Sequence, residues 1–291
     1  MIITYINNPL KYTTLKELLK QEFKISDRLL FKLKKHNKIY LNHVCVSINS
    51  SIKLNDLIKI VIDFEEDSPN IIAQKLQLDI LFEDDSMLIL NKPASIAVHP
   101  SLLHFDNTLS NGVKYYFNSI GLKKKIRIVN RLDKDTSGIV IFAKNEYVQE
   151  NLIQQMKSNT FKKYYIAIVE GLLEKNMFTI NAPISRKEGS IIERCVNKNG
   201  AISITQYHVI KKYSNYSLVY INLLTGRTHQ IRVHMSYIKH PILGDTLYGN
   251  SSNLINRQAL HACKVNFIHP ITNLPITIES NISEDIKNLI V

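Results

Sequence analysis

Cysteine is rare in this chain. Its three thiols, Cys45, Cys195 and Cys263, are odd in number and far apart, so they offer neither a disulfide framework nor a metal-binding pair. Such thiols suit a reducing compartment, and a cytoplasmic protein is expected. No run approaches the roughly 18 apolar residues of a membrane span, so no membrane partner is expected. The opening residues, MIITYINNPLKYTT, do not follow the basic-then-apolar layout of a secretory signal. Glycine is also scarce, with 9 residues in all. None gather into a phosphate-cradling loop or a dinucleotide fingerprint, and no cofactor is expected. His229 and His234 have no acidic residue between them, unlike the zinc-binding helix pattern, so no metal is expected either.

What the chain does have is positive charge: a formal +12 over 291 residues. Its distribution says more than its total. Residues 1–60 carry 11 Lys/Arg against 4 Asp/Glu, residues 61–100 carry 2 against 8, and the remainder 24 against 13. Two basic blocks therefore flank an acidic stretch. A polyanionic partner fits the basic blocks.

Hydrophobic periodicity divides the chain. Leu15, Leu18, Leu19 and Phe23 share a helical stripe behind Thr13 or Thr14 as cap, and Ser26 offers a second cap for DRLLFKLKKH. On that second helix Leu29, Leu30 and Leu33 face one way, while Arg28, Lys32 and Lys35 recur at i, i+4, i+7 on the other. Short β-like runs follow, so residues 12–62 read as a small α/β module. Residues 63–77 gather acid, contain Pro69 and read as a linker. From residue 78 to 291, strand candidates outnumber helices and follow one another closely. The helix candidates lie around 107–119, 145–158 and 228–239. The expected fold class is α+β, with a mixed, largely antiparallel sheet.

Two segments carry chemistry. RIVNRLDKDTSGIVIFAKN (127–145) sets Arg131, Asp133, Asp135, Thr136 and Ser137 in a loop ahead of an apolar strand. The loop could be a hydrogen-bonded turn, yet Arg-Leu-Asp also sets a guanidinium and a carboxylate side by side. LLTGRTHQIRVHMSYIKHPILGDTLYG (223–249) places Arg227, His229, Arg232 and His234 near one end of a helix candidate.

Together with LFEDDSMLILNKPASIAVHP (81–100), KYYIAIVEG (163–171) and ALHACKVNFIHPIT (259–272), these blocks resemble the RluA-type family of pseudouridine synthases. Residues 12–62 resemble an S4-type RNA-binding module. The resemblance implies an isomerase that turns uridine into pseudouridine in structured RNA after flipping the base from its stack, with ribosomal RNA favoured over transfer RNA. It implies Asp133 as the essential carboxylate, Tyr165 stacked on the uracil, and Arg232 paired with Asp133. Arg131 would help expel or replace the target base in the RNA stack. Arg227 and His229 would contact RNA beside the scaffold residues Thr225 and Gly226. The S4-like module would add phosphate contacts from Arg28, Lys32 and Lys35, and a monomer is expected.

Two positions depart from the family pattern: Asn130 stands where His is common, and Ser95 where Gly is usual. Asn130 cannot be protonated and is given no acid–base role. Asp135 is read as structural. Whether Asp133 would attack C1′, assist glycal formation or add to C6 stays open. The alternatives are an inactive RNA-binding assembly factor, or a nucleoside hydrolase that would release free base.

Overall fold

The two N-terminal helices start where their capping residues dictate. Thr14 forms a capping box with Glu17 ahead of α1 (Leu15–Glu17), which continues as a π-helical turn over Leu18–Glu22. The Ser26 hydroxyl accepts from Leu29 N–H at the start of α2 (Asp27–Lys35). In this computed structural model, which describes residues 1–101 and 105–290, both helices lay their leucines on a four-stranded antiparallel sheet. Its strands are β1 (Ile2–Ile6), β2 (Ile39–Leu41), β3 (Val44–Cys45) and β4 (Leu57–Val61), in the order β1-β4-β2-β3. β1 lies ahead of residue 12, the start expected from the sequence. It is a short strand with one buried residue, Ile3, too few for alternation to announce it.

The larger sheet has ten strands. Its main path is β10-β13-β14-β9-β15-β8-β6-β5, with β16 added to β15 and β7 to β8. The strands are β5 (Ile80–Glu83), β6 (Met87–Lys92), β7 (Arg127–Ile128), β8 (Ser137–Ala143), β9 (Lys162–Glu170), β10 (Met177–Asn181), β13 (Ile204–Lys212), β14 (Tyr216–Leu223), β15 (Leu260–Ile268) and β16 (Pro275–Glu279). A small hairpin of β11 (Ile184–Arg186) and β12 (Arg194–Val196) projects between β10 and β13. Helices α3 (Leu109–Ser119), α4 (Glu146–Lys157) and α5 (Gln230–Tyr237) fall where the sequence places them, and α6 (Glu284–Lys287) follows the last strand. Every pairing in the large sheet is antiparallel except β15 with β8. The fold is therefore α+β with a mixed, largely antiparallel sheet, as expected.

At that parallel crossing Gly138 has φ +111, and a β-carbon there would lie 2.2 Å from the carbonyl oxygen of Ala262. Only glycine fits. The strand after the Asp133 loop can thus run directly against β15.

The N-terminal module does not hang free. Its leucine core is continuous with Met87 and Ile89 of β6, Ile139 and Ile141 of β8, Leu152 of α4, and Val265 and Phe267 of β15. Residues 63–77 contain no regular element but are packed down. Ser68 and Ile71 are buried, and the Ser68 carbonyl accepts from the Lys114 ammonium at 2.7 Å.

The expected basic stripe needs one correction. Arg28 and Lys35 are exposed, whereas Lys32 turns inward. Its ammonium lies 2.6 Å from Glu66 and 3.1 Å from Glu146, and 4.0 Å from the centre of the Phe64 ring. Lys32 follows Phe31 and precedes Leu33 at the flank of the leucine face, so whatever docks against that face meets it first. Periodicity assigns the face but not its neighbour.

Candidate active site

The loop between β7 and β8 is polar because it runs outside the sheet, ahead of the fully buried strand β8. Its backbone is held by two buried cations. Lys92, at the end of β6, donates to the carbonyls of Pro93, Ile96 and Lys134, each at 2.8 Å. Arg257 donates to the Asp135 carbonyl at 2.9 Å while its other nitrogens hold Asp285. Two consecutive carbonyls are thus each held by a buried side chain, and Thr136 N–H closes a turn onto the Asp133 carbonyl at 3.1 Å. Burial pushes the Lys92 ammonium down to about 7, opposed by Asp135 and Asp133.

Asp133 stands on this clamped turn with its side chain 28% exposed. Its Oδ2 accepts from the Arg232 guanidinium at 3.1 Å, and its Oδ1 lies 3.8 Å from His229 Nε2. Arg232 rises from α5 and is itself held by Asp245, with Nε to Oδ2 at 2.6 Å and a terminal nitrogen to Oδ1 at 2.7 Å. Burial opposes its charge, but Asp245 and then Asp133 outweigh burial and raise its pKa. Asp245 is fully buried, and its Oδ1 also accepts from the backbone N–H groups of Leu247 and Tyr248.

His229 caps α5 in the left-handed region, at φ 55. Its Nδ1 meets the Tyr248 hydroxyl at 2.8 Å, and that oxygen accepts from Arg194 N–H at 2.8 Å. Donation from Tyr248 to Nδ1 would leave the ring proton on Nε2, the nitrogen that faces Asp133. Burial lowers the His229 pKa against the pull of Asp133. His234 is different. It is buried between Thr205 Oγ1 and the Ala182 carbonyl, at 2.8 and 2.9 Å, and serves as scaffold.

Tyr165 on β9 is 6% exposed, its pKa raised first by burial and then by Asp133. It walls a cleft of about 700 Å³ whose lining includes Asp133, Arg131, Arg227, His229 and Arg232. Six Lys/Arg side chains line this cleft, against Asp133 as the single carboxylate among the described residues. Arg131 and Arg227 are exposed at its rim, and Arg227 Nε donates to the Ile202 carbonyl at 3.2 Å. Arg28 and Lys35 lie on α2, outside the cleft lining.

The two departures from the family pattern find physical accounts. Asn130 donates to the Ile139 carbonyl and accepts from Ile141 N–H, both at 2.9 Å, stitching the loop to β8. Ser95 keeps the left-handed backbone, at φ 66, that glycine would adopt without strain.

Several supporting residues, Arg257 and Tyr248 among them, carry no local sequence signal of their role. Asp245 lies in the loop after α5, 13 residues from its partner. Lys92 lies within the 81–100 block, where nothing in the pattern marks its contacts. Gln230 ties Thr225 Oγ1 and Arg227 N–H to β13 through its side-chain amide. The arrangement can hold a flat ring against Tyr165 beside a carboxylate, inside a rim that favours a polyanion.

Residues 86–237 match the family model described as RNA pseudouridylate synthase. An uncharacterized RNA pseudouridine synthase of Bacillus subtilis is 42% identical, covering 94% of this chain and 90% of its own. The ribosomal large subunit pseudouridine synthase D of Blochmanniella floridana is 38% identical, covering 77% of this chain and 75% of its own. Among solved structures, human RNA pseudouridylate synthase domain containing 1 matches with a TM-score of 0.59 and 26% identity, covering 70% of this chain and 83% of that one.

Proposed function

The chain belongs to the RNA pseudouridylate synthase family, isomerases that act on RNA, and we propose that it converts uridine to pseudouridine in structured ribosomal RNA with Asp133 as the reacting carboxylate. The reaction breaks the N1–C1′ bond, turns the uracil and joins C5 to C1′. C5 gives up a proton and N1 gains one, so no redox partner is consumed and no group is lost.

One observation carries the reading: Asp133 is the single carboxylate lining the cleft among the described residues, and it is ion-paired with Arg232. A glycoside hydrolase of the usual kind needs two carboxylates across the bond it cleaves. Positive character that develops on the sugar would be stabilised by Asp133, oriented by Arg232. The flipped uracil would stack on Tyr165, a contact worth roughly 1–3 kcal/mol. Arg131 is the group that would enter the space left in the RNA stack. Arg227 and His229 would contact the RNA at the cleft, while the S4-like module would reach phosphates further away through Arg28 and Lys35. Ribosomal RNA is favoured because a relative is named for the large ribosomal subunit. A cytoplasmic monomer fits this role.

The test is pseudouridine mapping of ribosomal RNA from cells with and without the chain. At least one site should vanish with the gene, return with the wild-type chain, and stay absent with Asp133→Asn. An unchanged map would overturn the proposal.

A further inference from the structure

The cleft contains a cation that the arrangement around Asp133 leaves unused. Lys163 precedes Tyr165 by two residues on β9, so both side chains leave the same face of the strand and line the same cleft. Among the described residues its ammonium makes no hydrogen bond and no ion pair. Arg232, by contrast, meets two carboxylates. Burial lowers the Lys163 pKa, and no neighbouring charge acts against it.

Gly226 supplies an independent observation. A β-carbon built there would lie 3.0 Å from the Lys163 ammonium, yet the Gly226 backbone does not adopt the left-handed conformation that calls for glycine. What the missing side chain provides at this position is room beside the cation. Arg227, next in sequence, lines the same cleft and is exposed. A part-buried cation without an anion is costly to the folded chain. An anion entering the cleft would offset that cost.

We infer that Lys163, assisted by Arg227, binds the backbone phosphate of the target nucleotide while its base lies on Tyr165. This rests on the reading that the cleft takes uridine in RNA. Two residues of strand separate Lys163 from Tyr165 by about 7 Å, a separation of the same order as that between a nucleobase and its own phosphate. Lys163 would thus fix the nucleotide along its length, with Asp133 left free to act on the part between base and phosphate.

Lys163→Met tests this with defined probes, uridine and uridine 3′,5′-bisphosphate, by calorimetry or NMR titration. The wild-type chain should bind the bisphosphate about tenfold more tightly than uridine, and the variant should lose most of that advantage while binding uridine unchanged. With ribosomal RNA from cells without the chain, the variant should raise KM about tenfold and keep kcat within about threefold. Its melting temperature should hold or rise, because an apolar chain of similar length replaces an unpaired cation. No bisphosphate preference in the wild type, an undiminished preference in the variant, or an equal loss for both probes would each overturn the inference. A wild-type chain that made no pseudouridine would sink the proposed function instead, and the nucleotide comparison would still decide Lys163.

Discussion

Arg232 commits two of its three guanidinium nitrogens to Asp245, at 2.6 and 2.7 Å, and offers Asp133 only the third, at 3.1 Å. The guanidinium is therefore fixed by a buried carboxylate before it meets the one in the cleft. Asp245→Asn should lower stability by about 3 kcal/mol, because it leaves a buried cation half-paired. It should also cut kcat by roughly a hundredfold through misplacement of Arg232, with KM for RNA changed little. Thermal unfolding and single-turnover isomerisation measure the two effects. A variant with normal kcat would show that Asp133 does not depend on this anchor.

Asp133→Asn should abolish isomerisation and leave RNA affinity within a few-fold, because the carboxylate acts mainly in the transition state. Turnover within about tenfold of the wild type would remove Asp133 from its assigned role.

Lys92 links the turn to pH. Burial brings its folded pKa to about 7, from an ordinary value of 10.5. Between those values the unfolded chain binds more protons at this site than the folded one. Stability contributed through Lys92 should therefore rise as pH climbs through that window, and fall again toward neutrality. Lys92→Met should erase this slope. It should also cost about 1–3 kcal/mol for each buried carbonyl left unsatisfied, and speed amide exchange across residues 131–136. Denaturant unfolding across the window checks the slope, and a variant with the wild-type slope would contradict it.

Arg28 and Lys35 should be separable from Lys32. Replacing the first two with Glu should flatten the log-affinity versus log-salt slope for RNA by roughly 1.4–1.8, at about 0.7–0.9 per phosphate contact. Lys32→Ala should leave that slope alone and lower the melting temperature, since its partners are Glu66 and Glu146. A salt slope that responds to Lys32 as strongly as to Arg28 would refute the division. Deleting residues 1–62 would confuse RNA binding with folding, because it would uncover the apolar faces of β6, β8 and β15.

Much of this was legible beforehand, for identifiable reasons. Strands of alternating or continuous apolar character announced the sheet, and capping residues announced α1 and α2. Asp133, Tyr165 and Arg232 sit in motifs whose order along the chain is distinctive. Asp245 was not legible, because its bond to Arg232 spans a loop and follows no local period. Lys32 was misread because a helical wheel records which residues share a face, and says nothing of what packs against its flank. The hairpin of β11 and β12 was missed because its strands are short, three residues each, and only partly buried.

The position of β15 bears on how the enzyme comes into being. β9 and β14 form one half of the large sheet with β10 and β13, and β8 and β6 form the other with β5. β15 alone joins the halves along the sheet's main path. Tyr165 and Arg232 belong to the first half and Asp133 to the second. While the chain is being synthesised, each half can pair its own strands, but the residues that must meet remain on separate pieces until residues 260–268 emerge. A ribosome stalled before that point would carry two folded fragments and no enzyme. Activity should therefore switch on abruptly once residues 260–268 have emerged and paired.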